Sequence, residues 1–391
     1  VTSSSGEPRD GDRPVSWHLL TGEYPPQPGG VSDYTRLVAQ ALVHAGQQVH
    51  VWAPGESGAR EELGVTVHRV PGLFTPMGLR HLTRELNHCP TPRRLLLQYV
   101  PHALGMKAMN VPFCAWFAAR RQDERWVFFH EIVYPWKPTS PLRHQVLAGV
   151  TRVMAGMVGG AAERLFVSIP SWAEHLPARV RHRAEWRPIP STLPTEVPEQ
   201  TREAVRLALG TGPWLGHFGT YDPAISELLS TVLVPLLRAD EHRKGLLLGR
   251  GSRRFVQELG LRHPELAPRI TSRDDLAPAE LSAHLSSVDL LIQPYLDGVS
   301  TRRTTSMAGL ALGCPLVTQT GHLTEPFWRE SRAVALAEDT TAGALLECAE
   351  YFLAHAEERA ALGARAARLY RERFTLERTV EALLHPPGST P

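Results

Sequence analysis

Lysine is almost missing from this 391-residue chain: Lys107, Lys137 and Lys244 are the only ones, so arginine carries nearly all the positive charge. Arginine offers phosphate or carboxylate a planar fork of donors, although in an Ala- and Arg-rich chain genomic base composition is the simpler source of that bias. Excess charge of either sign is absent as well. Basic residues number 42 and acidic ones 40, a formal +2, which leaves no overall field to hold nucleic acid. The four cysteines, Cys89, Cys114, Cys314 and Cys348, form no Cys-x-x-Cys pair and have no histidine at zinc spacing, which excludes a metal or disulfide framework. No apolar run approaches the length of about 20 residues needed to cross a membrane. The opening residues Val1 to Pro14 lack an apolar core and read as a disordered tail, not a leader. A soluble protein in the reducing cytoplasm is expected.

What is present is the alternation of an α/β protein. The length suits two domains, at about 100–200 residues each. Val15–Thr21 reads as a buried strand, followed by Gly22-Glu-Tyr-Pro-Pro-Gln-Pro-Gly-Gly-Val-Ser-Asp33 and a helix capped by Ser32 or Asp33, with Leu37, Val38, Ala41, Leu42 and Ala45 on one face. The strand 48–52 completes a βαβ opening. It lacks a full Gly-x-Gly-x-x-Gly, which disfavours a nicotinamide dinucleotide. Further strands are expected at 65–70, 94–100, 126–131 and 164–168, with helices at 77–87, 112–121 and 142–159. The apolar residues Val146, Leu147, Val150, Met154 and Met157 make the last a core-facing helix, with a membrane-surface helix as the open alternative. His130 and Glu131 stand where a strand of such a sheet ends, the edge at which ligands gather. The proline-rich stretch Arg187 to Pro198 reads as an interdomain linker.

The second half carries the most informative run. Leu290–Gln293 reads as a strand buried on both faces and stopped by Pro294 and Gly298. A helix begins at Thr304, Gly313-Cys-Pro315 ends it, and Leu316–Thr318 is a strand again. The loop between, Asp297-Gly-Val-Ser-Thr-Arg-Arg303, suits a phosphoryl group. Gly298 allows close backbone approach, Ser300 and Thr301 supply hydroxyls and helix caps, and Arg302 and Arg303 stand beside free N–H groups. The plain alternative is a solvated loop with two surface arginines. Earlier in this half, the strand 214–218 leads into Gly219-Thr-Tyr-Asp-Pro223, a later turn reads Gly249-Arg-Gly251, and a short strand ends at Ile270.

These motifs resemble the GT-B glycosyltransferases, specifically the retaining group known as family 4. Pro25-Pro-Gln-Pro-Gly-Gly-Val31 before a helix is similar to that family's Pro-Pro-x-x-Gly-Gly-Val, and Gly313-Cys-Pro-Leu-Val317 to the end of its donor-binding segment. The family usually reads Glu-Gly-Phe-Gly-x-x-x-x-Glu there, and its two glutamates fall on Ser300 and Ala308. A subgroup reads Asp-Gly-Val-Ser-x-Arg-Arg, as this chain does. The Arg and Lys that neutralise the donor diphosphate after the strand 214–218 are also absent. Glu325 takes a structural, supporting place by the same resemblance.

The resemblance implies two Rossmann-like domains facing a cleft: an acceptor-side domain 15–190, a nucleotide-sugar domain 199–370 and a final segment 371–391 crossing back to the first. It implies retaining transfer of a hexosyl group from a nucleotide-diphosphate sugar, UDP-sugar favoured, with no metal or further cofactor. His130, Asp297 and Ser300 are the implied catalytic residues. The donor would be held by Gly29, Gly30, Gly219, Thr220, Arg250, Gly298, Val299, Thr301, Arg302 and Arg303. The acceptor, whether glycan, lipid-linked or small molecule, is not legible, nor is the oligomeric state, and peripheral membrane contact stays open. Two other readings are carried: a catalytically degenerate nucleotide-sugar-binding or scaffold protein, motivated by the absent Glu, Arg and Lys, and, more distantly, a nucleotide-sugar epimerase.

Overall fold

The computed structural model describes residues 15–136 and 138–385; the expected tail 1–14 lies outside them. Contacts divide the chain into two units, the second running from Ile189 to Arg378 and the first comprising the residues up to Pro188 and those from Thr379.

In the first unit the elements are β1 (Ser16–Leu20), α1 (Gly30–His44), β2 (Val49–Pro54), β3 (Gly58–Glu62), β4 (Val65–Val70), α2 (Pro76–His88) and β5 (Arg93–Tyr99). Then come α3 (Val111–Ala119), β6 (Glu124–Phe129), α4 (Leu142–Ala161), β7 (Arg164–Val167), α5 (Ala178–Arg181) and β8 (Ala184–Trp186). The strands form one sheet in the order β3-β4-β2-β1-β5-β6-β7-β8, parallel throughout except where β3 pairs antiparallel with β4. Parallel strands must be covered on both faces, and the run of Leu95, Leu96 and Leu97 on β5, each at most 1% exposed, shows why continuous apolar stretches were the strand signal. The chain order reverses between β1 and β5, so the loops after these two strands flank the switch point at which ligands of such sheets bind.

Three expectations fail in this unit. β3 and β8 were not foreseen, because β3 is the exposed, charged edge segment Gly-Ala-Arg-Glu-Glu and β8 only three residues long. The helix α1 begins at Gly30, ahead of its expected caps Ser32 and Asp33, and no side chain of its N-cap residue Gly29 closes it. Third, the buried stripe of α4 is only partly the expected one: Met154 is buried and Val150 and Met157 pack against the core, but Ala148, Thr151, Ala155, Val158 and Gly159 supply the rest, while Val146 and Val153 are about half exposed and Leu142 more so. Small residues let α4 lie close against its neighbours, and a hydrophobicity pattern does not register them.

The second unit contains α6 (Glu199–Leu209), β9 (Trp214–Phe218), α7 (Pro223–Ala239), β10 (Lys244–Leu248), α8 (Ser252–Arg262), β11 (Ile270–Arg273) and α9 (Pro278–Leu285). It continues with β12 (Leu290–Gln293), α10 (Thr304–Ala311), β13 (Leu316–Gln319), α11 (Phe327–Ser331), β14 (Ala335–Ala337), α12 (Ala342–Ala354) and α13 (Ala356–Arg373). The last helix, α14 (Leu376–Leu384), spans the boundary between the units. Six parallel strands run in the order β11-β10-β9-β12-β13-β14, with the switch point between β9 and β12. Ile270 opens β11 and does not end a strand as expected. The proline-rich stretch after Pro188 is fixed to this unit: Ile189 N donates to the Thr301 carbonyl at 3.0 Å, Ser191 N to the Tyr370 hydroxyl at 3.0 Å, and Ser282 Oγ to the Pro194 carbonyl at 2.7 Å. Among the described residues no helix is long and apolar enough to cross a membrane.

One buried polar feature of the first sheet sets an acid limit. His18, His50 and His68 from β1, β2 and β4 lie side by side, with ring centroids 4.8 and 5.3 Å apart, and Trp52 stacks on His68 at 3.9 Å. Trp52 Nε1 donates to His18 Nδ1 at 3.1 Å. Burial first, then the neighbouring His50, Arg93, His68 and Arg120, push His18 down to about 2; His130 is pushed down to about 3 by burial alone. A base whose folded pKa lies below its unfolded value contributes stability that is complete above the unfolded value, about 6.5, and is lost as pH falls below it. Each of these two histidines should therefore lower the unfolding free energy by about 1.4 kcal/mol per pH unit below pH 6. Urea unfolding measured between pH 7 and 4.5 should show this, and His18→Asn should flatten the slope by one histidine's share.

Candidate functional site

Helix starts decide what each sheet edge offers. The first turn of an α-helix has N–H groups without intrahelical partners and a partial positive charge, and it takes an anion from wherever one is at hand. Of α1, α7, α8 and α10, the first three take it from the chain itself. Asp222, just before Pro223, accepts from Ala224 N and Ile225 N at 3.1 and 3.2 Å and closes α7. Asp274, beyond the end of β11, accepts from Ser252 Oγ and from Arg253 N at 2.7 Å and closes α8. In the first unit Glu23 accepts from Ser32 N at 3.2 Å and closes α1.

The helix α10 is different. It follows β12, starts at Thr304 with Arg303 as the N-cap residue, and has no side-chain cap. The expected caps Ser300 and Thr301 are used otherwise. Thr301 gives its N–H (2.9 Å) and its hydroxyl to Glu325, which also accepts from Trp328 Nε1 at 2.8 Å. Burial pushes the Glu325 carboxyl up, and these donors act against it. Ser300 is fully buried, and its Oγ has no hydrogen-bond partner.

The two arginines of the loop are organised by one carboxylate. Asp297 accepts from Arg302 Nη2 at 2.6 Å with one oxygen and from Arg303 Nη2 with the other. Burial raises this carboxyl, but Arg303 and Arg302 outweigh it and hold it below its ordinary range. One negative charge between two positive ones leaves the loop with a net charge of +1, and each guanidinium has five N–H donors, more than Asp297 can engage. The guanidinium of Arg303 also lies 4.7 Å over the ring of Tyr295, whose hydroxyl meets Thr305 Oγ1 at 2.6 Å and Ser306 Oγ at 2.8 Å in the first turn of α10. Arg302, Arg303 and the α10 start are thus one assembly on the carboxyl side of β12. Both Asp297 oxygens are engaged with arginine.

The other expected residues of this unit surround the same strand ends. Gly298 has φ +83°, and a Cβ there would lie 2.2 Å from Thr324 Oγ1 and 2.3 Å from Gly321 N, so the loop is pressed onto the turn after β13. Val299 is fully buried, and its N–H donates to the Gln319 carbonyl at 3.1 Å. Gly219 N donates to the Leu248 carbonyl, and its own carbonyl leaves no room for a side chain at Gly249, so the turns after β9 and β10 touch. Thr220 and Arg250 on these turns are exposed. Two residues were not foreseen. Gln293 ends β12, and its Nε2 donates to the Phe218 carbonyl across the switch point at 2.9 Å; His217, on β9, is buried beneath Gly219. Gln293 is the polar ending of an apolar strand and His217 stands one residue before such an end, the only mark they carry in the sequence.

In the first unit, His130 follows β6. Its N–H donates to the Tyr99 carbonyl at 3.1 Å, its carbonyl accepts from Ser168 Oγ at 3.2 Å, and its Nε2 meets Gln98 Oε1 at 2.7 Å. The ring stacks on Phe128 at 4.7 Å and meets Tyr34 edge-on at 4.9 Å. With its pKa pushed down to about 3 by burial, this imidazole is neutral at pH 7 and acts as a hydrogen-bonding group, not a cation. Gly29 and Gly30 form the turn into α1, folded around the Glu23 carboxylate.

Residues 29–192 match the family model of a glycosyl transferase 4-like domain, and residues 233–385 that of a glycosyl transferase-like domain. No curated protein sequence matches. Among solved structures, a sucrose-phosphate synthase from Thermosynechococcus elongatus superposes with a TM-score of 0.73 at 16% identity, over 94% of this chain and 97% of that one. The Anabaena protein HepE, solved in complex with UDP and glucose, superposes with a TM-score of 0.69 at 14% identity, over 96% and 100% of the two chains. A glycosyltransferase from Rickettsia africae gives a TM-score of 0.67 at 12% identity, over 95% and 97%.

The left-handed backbone and absent space at Gly298 predict that Gly298→Ala lowers the unfolding free energy of the second unit by about 1–3 kcal/mol. Chemical denaturation of the wild type and the variant measures it.

Proposed function

We propose that this chain, a GT-B glycosyltransferase of the family-4-like type, moves a hexosyl group from a nucleotide-diphosphate sugar, a UDP-sugar by preference, to an acceptor hydroxyl with retention at the anomeric carbon. The observation that carries this is the α10 start: a helix N-terminus at the second unit's switch point that has no carboxylate of its own and carries Arg302 and Arg303 beside it. A leaving diphosphate gains negative charge as the glycosidic bond breaks, and fixed N–H donors stabilise that charge without reorganising. Asp297 holds the two arginines in place for this task, and Ser300 offers a buried hydroxyl to the phosphate or sugar. Arg250 and the backbone of Thr220 add donors from the neighbouring turns, while the Gly219 amide, engaged with the Leu248 carbonyl, holds those turns together. The backbone of Gly298, Val299 and Thr301 shapes the floor of the loop. The preference for uridine rests on HepE, whose complexes hold UDP or UDP-glucose. In the first unit, neutral His130, oriented by Gln98, is the group suited to hydrogen-bond a sugar hydroxyl.

A second reading has one specific observation behind it. Ala308, which stands where the resemblance puts a ribose-binding glutamate, lies fully buried on the apolar face of α10 and has no polar side chain with which to hold a ribose. A chain that has lost that grip could bind nucleotide sugars without turning them over, and nucleotide would then raise its melting temperature with no product formed on any acceptor.

Incubating the protein with UDP-, GDP- and ADP-sugars and measuring nucleotide release decides between the two. Release from a UDP-sugar is expected, reduced about 100-fold in Arg302→Ala and in His130→Ala. Unimpaired release by both variants would show the assigned roles to be wrong.

A further inference from the structure

The outward side of α4 is apolar and uncovered. Of eleven large apolar residues exposed among the described residues, seven are scattered over other elements. The other four, Trp136 (52%), Leu142 (76%), Val146 (50%) and Val153 (56%), gather on α4 and the segment leading into it. Single exposed apolar residues are ordinary, whereas a group of them marks a surface that meets something. Leu142, Val146, Gly149 and Val153 follow one another at steps of four, three and four residues, so they share one side of the helix over about 16 Å. A Cβ added at Gly149 would meet nothing within 4 Å, so the middle of this stripe is open. At about 100° per residue, Arg143 and Arg152 fall on its two flanks. The Arg152 guanidinium lies 5.7 Å over the Trp136 ring and ties that ring to the same side.

The charge here is as one-sided as the hydrophobicity. Residues 132–183 hold seven basic residues and two acidic ones, in a chain whose total is only +2, and α4 itself has no acidic residue. Elsewhere in the first unit arginines are matched by carboxylates, as Arg93 is by Asp123, Arg94 by Glu124 and Arg164 by Glu185. Around α4 they are not. Arg152 Nη1 donates to the Tyr134 and Ala148 carbonyls at 3.1 and 2.8 Å, and Arg181 Nη2 to the Glu174 and Leu176 carbonyls at 2.8 and 3.3 Å. A main-chain carbonyl fixes a guanidinium without neutralising it. Arg143 and Arg179 are exposed, and a Cβ at Gly160, on the same side of α4 as the stripe, would lie 3.5 Å from Arg179 Nη2. Arg152 and Arg181 both act on His175: burial first, then Arg152, push its imidazole down, Glu174 raises it and Arg181 lowers it again. Of the two carboxylates, Glu163 is paired with Arg125, which leaves Glu174 alone among these cations.

We propose that this face of the first unit docks on a bilayer that contains anionic lipid, with the apolar stripe in the headgroup–acyl boundary and the four arginines among the lipid phosphates. The combination selects the occupant. Apolar side chains with an aromatic ring at their edge suit the interface, and uncompensated arginines suit its negative surface. A soluble polyanion would leave Leu142 and Val153 in water, and a second copy of the chain would set these arginines against their equals. Among the described residues no helix can cross a membrane, so the contact is peripheral. The proposal goes beyond the transferase reading and does not depend on it.

The test sediments wild type, Gly149→Glu and Leu142→Gln with extruded vesicles of phosphatidylcholine alone and of phosphatidylcholine mixed with phosphatidylglycerol, at low and at high salt. Gly149→Glu puts a carboxylate into the open middle of the stripe, where it touches nothing, and a helix interior prefers glutamate to glycine, so its melting temperature should not fall. Wild type should bind the phosphatidylglycerol vesicles, leave the neutral ones in suspension, and release the anionic ones at high salt. Both variants should bind the anionic vesicles about tenfold more weakly. Failure of wild type to bind the anionic vesicles, equal binding to the neutral ones, or undiminished binding by either variant would overturn the proposal. Sedimentation velocity covers the remaining occupant: a wild-type dimer that Gly149→Glu turns into a monomer, with no vesicle binding, would assign the face to a second copy and overturn the proposal as well.

Discussion

The unpaired amides at the start of a helix have to be given an acceptor, and in this protein the choice of acceptor decides the chemistry of each sheet edge. α7, α8 and α1 are closed by Asp222, Asp274 and Glu23, so their positive ends are neutralised internally. α10 is not closed in this way. Around it the chain places two arginines, the hydroxyl of Ser300 and a tyrosine that ties Arg303 to the first helical turn. That difference between otherwise similar βα turns makes one of them suited to an external anion.

The second constraint is the cost of holding two arginines close together. Like charges side by side repel, and long side chains lose rotamer freedom when fixed. Asp297 offsets both by accepting from each guanidinium, and Glu325 fixes the next residues through Thr301. Gly298 allows the tight approach to Gly321 and Thr324 that brings these groups together. The loop is therefore set before any ligand arrives, as electrostatic stabilisation requires.

Much of this was legible in the sequence, for identifiable reasons. Buried parallel strands are continuous apolar runs, so β5 and the β12–loop–α10–β13 unit could be placed from Leu, Ile and Val blocks stopped by Pro and Gly, and β4 from its alternating valines. His130 was singled out because a polar residue ended such a block. Other features depend on distance in the chain and left no local mark. Glu23 caps a helix nine residues away from it, and Glu325 engages Thr301 across 24 residues, so Ser32 and Thr301 were read as caps on local rules alone. The buried face of α4 was misjudged because Ala148, Ala155 and Gly159 pack by being small. β3 escaped notice since an exposed edge strand needs no apolar residue.

The glycosyltransferase group that the chain resembles usually reads glutamate where this chain has Ser300 and Ala308, and here the same segment is built around Asp297, Arg302 and Arg303. The central claim is that this rebuilt loop and the α10 start hold the donor's diphosphate. A crystal structure of the protein soaked with a UDP-sugar tests it most directly. Diphosphate oxygens within hydrogen-bond distance of the Arg302 or Arg303 guanidinium and of the first amides of α10 are the predicted result; a diphosphate bound elsewhere, with neither arginine touching it, would contradict it.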